Sequence, residues 1–316
     1  MEKLITGIHH VTALAGEPQR NLDFYTGVLG LRLVKKTVNF DAPDVYHFYY
    51  ADEVGNPGSI MTFFPYEGIR RGRKGKGMLN VTAFSAPLAS VDYWKSRFEK
   101  FMIPYQSEKE NFQNEKSIYF EDPDGLGLEI IFTDKDNRNG FTYGAIPQEH
   151  SIKGFYSVEI WAETLEKTAE VLKVLDHQLI EEKDNRFRFA PSDAPGNYVD
   201  ILITPDKLNG LGGGGTIHHL AFNTANRETQ LRVREKISSI GLGPTPVLDR
   251  QYFESIYFRE PGGVLFEVAT SVPGFAVDEA PDKLGEALKL PPQYENRRNL
   301  IEQAVKPVSL NIEKFK

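Results

Sequence analysis

Seven histidines and no cysteine set the chemistry this chain of 316 residues can carry. Disulfides, thiolate zinc sites and cysteine nucleophiles are excluded, so a bound metal must be held by imidazoles and carboxylates. Four of the seven histidines stand as adjacent pairs, His9–His10 and His218–His219, in the stretches GIHHVTAL (7–14) and TIHHLAFN (216–223). Both stretches are rich in apolar and β-branched residues and read as strands. Side chains alternate faces along a strand, so only one imidazole of each pair meets a given cavity. The second of each pair is taken here: His10 shares its face with Thr12, and His219 with Ala221. Glu267, in LFEVAT, supplies a carboxylate. A single strand histidine is more often packing than ligand. Two pairs at matching places, with a carboxylate at a matching spacing, tip the balance toward ligation. Two neutral nitrogens and one negative oxygen leave coordination positions open, which suits Fe(2+), or Mn(2+), better than a closed structural zinc site. Zn(2+) fits the same ligands but carries no one-electron chemistry with O2 and gives an inactive form.

The elements that position these residues repeat four times along the chain. Openings at 7–14, 78–85, 154–161 and 216–223 are each followed by a run with helical periodicity and then by several short apolar segments. The order per module is β-α-β-β-β. EDPDGLGLEIIF (121–132) and REPGGVLFEVA (259–269) carry the same hairpin turn before the last strand. Asn80 and Ser157 are aligned with the second histidines. The spacings 129 − 80 = 49 and 267 − 219 = 48 then open and close two modules alike. A lone module has too little core and bare sheet edges, so modules should pair. The predicted fold class is α+β, with four modules in two domains built on cupped mixed sheets. The expected division is 1–145 (modules one and two), 146–272 (modules three and four) and a tail, 273–316, with a helix at 294–305. If His10 meets His219 and Glu267, modules one and four share the metal cavity. Modules two and three then pair around Asn80, Glu129, Ser157 and Asp200, a set expected to hold no metal.

Composition narrows the partners. The chain is 40% apolar and 26% charged, as a packed globular protein is, and its balance of 37 basic against 44 acidic residues gives −7. That field disfavours nucleic acid and anionic lipid. No run approaches the length of a spanning helix and the start resembles no signal peptide, so a cytoplasmic location is expected. Gly210, Gly212 and Gly215 match a dinucleotide-binding spacing but lead into a strand rather than a helix, and read as a flexible join. The basic cluster Arg70, Arg71, Arg73, Lys74 and Lys76 is interrupted by glycines and reads as a solvated loop. The tail is expected to pack across the domains or against a second subunit of a homo-oligomer.

IHHVTALAG, FYTGVLGLRLVKKTVNFD, TIHHLAFNT and LGEALKLPPQYENRRNLIEQAVKPV give the chain its resemblance to the vicinal oxygen chelate superfamily, which holds the glyoxalases and extradiol dioxygenases. It is most similar there to the hydroquinone ring-cleaving dioxygenases. The resemblance covers most of the chain and implies iron ligation by His10, His219 and Glu267, the same three residues. It further implies acid, base or substrate-orienting roles for His9, Thr12, His218, Arg250 and Tyr257. Arg250 would stabilise an oxyanion and Tyr257 would donate a hydrogen bond or pass a proton. Strand alternation turns His9 and His218 away from the metal unless a bulge intervenes. The implied activity is Fe(2+)-dependent ring cleavage of a small aromatic substrate with O2. Two alternatives stand beside it. A glyoxalase-like isomerase or lyase is disfavoured because IMTFF (60–64) has no Glu at its closing position. A non-catalytic aromatic-binding or resistance protein is disfavoured because such proteins usually lack a complete ligand set.

Overall fold

The computed structural model describes residues 3–109, 111–112 and 115–316. Module one comprises β1 (Gly7–Ala15), α1 (Pro18–Leu22), β2 (Arg32–Asn39), β3 (Ala42–Ala51) and β4 (Ile60–Pro65). Module two comprises β5 (Met78–Ala86), α2 (Val91–Lys100), β6 (Tyr105–Lys109), β7 (Lys116–Glu121) and β8 (Gly127–Phe132). In module three β9 (Gly154–Ala162) and α3 (Glu166–Val174) precede β10 (Gln178–Lys183), β11 (Arg186–Ala190) and β12 (Tyr198–Ile203). In module four β13 (Thr216–Thr224) and α4 (Arg227–Ser239) precede β14 (Leu248–Asp249), β15 (Phe253–Arg259) and β16 (Leu265–Pro273).

The helices form where capping and burial agree. Glu17 accepts the Arg20 N–H at 2.6 Å to open α1, and Pro18 fits its first turn. The helix read through 21–34 is shorter than its periodicity suggests. It loosens into a π-helical turn, Asp23–Val28, where the Leu29 N–H donates to Phe24 five residues back, and Gly30 at φ 69° ends it. Asn226 and Thr229 form a reciprocal capping box on α4.

Within every module the first strand runs parallel to the last, and the other two follow antiparallel. The first strand thus keeps one bare edge, and antiparallel pairing with another module closes it. β1 pairs with β13, and β5 with β9, giving two eight-stranded sheets. Modules one and four share one sheet, and modules two and three the other. The sheets therefore do not follow the halves 1–145 and 146–272: each draws one module from either side, because hydrogen bonding joins first strands and ignores chain order. One apolar cluster, including Tyr25, Phe63, Trp94, Phe120, Ile130, Val158, Leu220 and Phe266, runs through both sheets.

Register also shifts one alignment. β5 slips past β9 between Leu79 and Val81, as β1 slips past β13 between Ile8 and His10, so Asn80 matches His9 and Val81 matches His10. Counted from Val81, the spacing 129 − 81 = 48 equals 267 − 219. Asn80 instead bonds the backbone of Gly75 and Met78.

The joins between modules one and two and between modules three and four form an ordered ladder rather than flexible or freely solvated loops. Gly72 N–H donates to Gly214, Arg73 and Leu211 exchange both bonds, and Gly210 N–H donates to Lys76. The backbones approach so closely that a Cβ on Gly72 would lie 2.7 Å from the Leu211 oxygen, and one on Gly213 2.5 Å from that of Arg70. The adjoining cations reach acids, Lys74 meeting Glu121 and Lys76 meeting Glu163 at 3.6 Å.

The tail wraps module one. Lys289 N–H donates to Lys36 at 2.9 Å, and the Tyr294 hydroxyl donates to the Phe40 carbonyl at 2.7 Å. Lys35, fully buried, meets Asp278 at 2.6 Å and Glu279 at 2.5 Å. The helix expected at 294–305 is a 3-10 turn, Pro292–Arg297, running into α5 (Arg298–Ala304). No helix among the described residues is long and apolar enough to cross a membrane.

Candidate metal centre and its cavity

β1, β13 and β16 lie side by side, and they bring His10, His219 and Glu267 to one point. The His10 and His219 Nε2 atoms are 3.1 Å apart. Glu267 Oε2 lies 3.3 Å from the first and 2.9 Å from the second. All three side chains are buried, and no other His/Asp/Glu trio among the described residues clusters its ligand atoms this tightly. Ser255, on the neighbouring β15 two residues before Glu267's register partner Tyr257, donates its hydroxyl to Glu267 Oε1. Oε2 has no hydrogen-bond partner of its own. A buried carboxylate oxygen without a partner is costly, and two imidazole nitrogens converging on it leave a divalent cation as the group that satisfies all three. Burial alone would raise the Glu267 pKa, but the two imidazoles outweigh it and hold the carboxyl well below its usual range.

Both first histidines sit in β-bulges. The β1–β13 pairing skips His9 between Ile8 and His10, and skips His218 between Thr12–His219 and Ala13–Ile217. An extra residue breaks strict alternation and re-aims the side chain. His9 and His218 accordingly lie beside their neighbours, Nδ1 to Nδ1, at 2.9 and 2.8 Å. His9 is also 3.2 Å from the Thr270 carbonyl through Nε2. Burial, then the neighbouring His10, lowers the His9 pKa to about 3, so the ring is neutral. A carbonyl only accepts; His9 therefore donates from Nε2 and accepts at Nδ1, and His10 must donate from its own Nδ1. That fixes the His10 tautomer with a bare lone pair on Nε2, facing Glu267 and His219. Ligation by His219 Nε2 requires the same of the second pair, and His218 then turns an Nε2 proton to its surroundings.

A cavity of about 390 Å³ opens over this point. Its wall includes His10, Thr12, His218, His219, Arg250 and Tyr257, six of the eight predicted site residues, His218 reaching it from its bulge. His9 is not in the wall and lies behind His10. Arg250 Nε donates to the Tyr257 hydroxyl at 3.3 Å, and its Nη1 is 3.7 Å from Asp41 at the rim. Burial, then Glu267, raises the Tyr257 pKa, which keeps the phenol protonated. Burial lowers His218 to about 4.

Beyond the residues expected from sequence, the site includes His47, Tyr49 and Thr62. His47 and Tyr49 line the cavity, and His47 bonds Thr62 through Nε2 and Tyr49 through Nδ1. The signal lay in VYHFYYAD, where His47 and Tyr49 are two apart and so share a strand face. In the other sheet Glu129, the counterpart of Glu267, accepts from the Asn111 amide at 2.8 Å, and Asp200 meets a cation. Arg188 forks onto Asp200 with both bonds at 2.8 Å and reaches Glu115, while Arg186 meets Glu159.

The glyoxalase/bleomycin resistance protein/dioxygenase superfamily model matches residues 7–130. MhqO of Bacillus subtilis strain 168, named as a ring-cleaving dioxygenase, is 44% identical over 308 residues, covering 97% of this chain and 98% of that protein. The chlorohydroquinone/hydroquinone 1,2-dioxygenase of Sphingobium indicum is 34% identical over 313 residues, covering 92% and 93%. A crystal structure of a Bacillus subtilis protein described as a dioxygenase superposes with a TM-score of 0.94 at 43% identity, over 98% of this chain and 99% of that one. The chain belongs to the glyoxalase/bleomycin resistance protein/dioxygenase superfamily. Within it the chain falls with the ring-cleaving dioxygenases, an oxidoreductase class.

Proposed function

We propose that the protein is a ferrous-iron dioxygenase that opens the ring of hydroquinone-type aromatic compounds. The observation that carries this reading is the buried His10, His219 and Glu267 trio, with an unpartnered carboxylate oxygen, at the floor of a single-ring-sized cavity. Its likeness to a hydroquinone 1,2-dioxygenase over nearly the whole chain supports the substrate class. Ferrous iron supplies one-electron exchange between an aromatic ring and O2, which closed-shell side chains do not.

The remaining work falls to the chain. Phe64, Phe253 and Leu265 line the cavity with apolar surface that suits an aromatic ring and limits water. Arg250 carries a fixed positive charge on the wall, where oxygen charge on the substrate is stabilised. Tyr257, kept protonated, and His218, kept neutral, are set to hold or pass a proton. Ser255 and His9 are assigned the orientation of Glu267 and His10. Thr62 faces Thr12 across β1 and β4, just as Glu267 faces Ala221 across β13 and β16. A hydroxyl therefore stands in module one where module four has its carboxylate, leaving three ligands rather than four. That favours the dioxygenase over a glyoxalase-like isomerase.

The test is O2 uptake by protein loaded anaerobically with Fe(2+), using hydroquinone and its methyl and chloro derivatives. Stoichiometric O2 consumption with an acyclic product carrying both oxygen atoms is expected. Unchanged O2 in the presence of a tightly bound or isomerised aromatic would overturn the proposal.

A further inference from the structure

A row of four side chains crosses the first sheet beside the ligands. His219 on β13, Thr12 on β1, Thr62 on β4 and Tyr49 on β3 are successive register partners. His47, two residues before Tyr49 and on the same face, completes a hydrogen-bonded string. Thr12 Oγ1 is 2.9 Å from Thr62 Oγ1, Thr62 Oγ1 is 2.9 Å from His47 Nε2, and His47 Nδ1 is 2.9 Å from the Tyr49 hydroxyl. Thr12, Thr62 and Tyr49 are buried. Both ends of the string, Thr12 and Tyr49, belong to the wall of the same cavity.

We propose that Thr12, Thr62, His47 and Tyr49 form a proton relay that takes a proton from a substrate hydroxyl at one wall of the cavity and delivers one at the other. The inference rests on the reading of this cavity as a hydroquinone site and deepens it. His47 enters neutral, since burial holds its pKa well below the ordinary value. A neutral imidazole has one donor and one acceptor, so the string has two polarities. In one, Thr12 donates to Thr62, Thr62 to His47 Nε2 and His47 Nδ1 to Tyr49, whose own proton points into the cavity. In the other, every bond is reversed and the Thr12 proton points into the cavity.

Passing between the two polarities moves one proton with no charge left on the string. The substrate O–H breaks as Thr12 gains its proton; Thr12 gives its own to Thr62, Thr62 gives its own to His47 Nε2, and His47 gives its Nδ1 proton to Tyr49. Tyr49 releases its phenol proton to a water molecule in the cavity, from which the reverse passage takes it back. No electrons move. Ring opening of a hydroquinone by O2 keeps every hydrogen of the two reactants, so the proton withdrawn at binding returns at product formation and the reverse passage resets the string. Thr62 alone of the four is absent from the cavity wall, reaches the substrate only through Thr12 and His47, and is a positioning residue.

Thr62→Val and Thr62→Ser separate the relay from packing, the first keeping volume without the hydroxyl and the second keeping the hydroxyl without the methyl. With iron-loaded protein, Thr62→Val is expected to lower kcat about 10²-fold, with KM and iron content unchanged and a larger solvent deuterium isotope effect. Thr62→Ser should retain the wild-type kcat and isotope effect. Wild-type turnover in Thr62→Val, or equal loss in both variants, overturns the relay. The imidazole 15N shifts of His47 in the zinc-loaded protein give a readout without turnover. The Nε2 shift should move in Thr62→Val and stay in Thr62→Ser, and identical shifts in all three proteins overturn the string. A wild-type protein that never consumes O2 overturns the activity reading, and the nitrogen shifts still decide the string.

Discussion

At the scale of single residues, the geometry of the candidate metal centre depends on side chains outside the His10, His219 and Glu267 trio. Glu267 offers one oxygen to the two imidazoles because Ser255 holds the other. His10 offers Nε2 because His9, pinned by the Thr270 carbonyl, accepts its Nδ1 proton. Removing such supporting partners typically costs 10- to 100-fold in metal affinity. Ser255→Ala and His9→Phe should each weaken Fe(2+) binding by about 10- to 100-fold, measured by competition with a chelator, with unfolding midpoints close to wild type. Unaltered affinity in both would mean that the ligands are held by strand geometry alone. Those two residues differ in how visible they are from sequence. His9 was singled out, although alternation argued against it; Ser255 was not, because nothing in SIYFRE marks one serine as facing a carboxylate two strands' width of sequence away.

At the scale of elements, the decisive features are places where strands depart from regularity. The two bulges lie on facing strands and skip equivalent histidines, so the pairs act alike although they are far apart in the chain. Alternation was a sound rule for His10, Thr12 and His219 and failed only where one extra residue enters the ladder. The joins between modules show the same limit. Gly210, Gly212 and Gly215 read as a flexible join and the glycine-interrupted basic cluster as a solvated loop, yet the two stretches face each other in a backbone ladder too close for side chains. Gly72→Ala and Gly213→Ala should each destabilise the fold by about 1–3 kcal/mol, seen as a lower urea midpoint with an unchanged slope. The contrasting result is no loss at either position, which would restore the flexible-join reading.

At the scale of the whole molecule, the tail ties together the sheet that carries the candidate metal site. Lys35 on β2 is wholly buried beneath Asp278 and Glu279, and its ammonium lies 5.0 Å from the ring centre of Tyr252, whose hydroxyl also donates to Asp278. Module one, module four and the tail thus meet around one cation. Removing the acids strands a buried charge, whereas replacing all three by apolar groups of similar size does not. The double change Asp278→Asn with Glu279→Gln should cost about 3–5 kcal/mol in chemical denaturation, and adding Lys35→Met should recover most of it. A double variant as stable as wild type would show that water, not the tail, solvates Lys35.

The amino-acid sequence determined what is local or repeated. Strand periodicity, turn residues and the fourfold recurrence specify the β-α-β-β-β modules, and residue type limits metal ligands to imidazoles and carboxylates. It also presented His10, His219 and Glu267 as a set, since paired histidines and a carboxylate recur at matching positions. The ligand set also pointed to the pairing of modules one with four and two with three, which the sheets show; the tertiary structure alone decided where the bulges fall and that His47, Thr62 and Tyr49 connect to Thr12. The physical reason is that a first strand's bare edge can be closed by any compatible partner, and a hydrogen bond between side chains depends on register across strands. A one-residue slip such as that at Asn80 leaves the spacing of residues along the chain almost unaltered and changes which side chains meet.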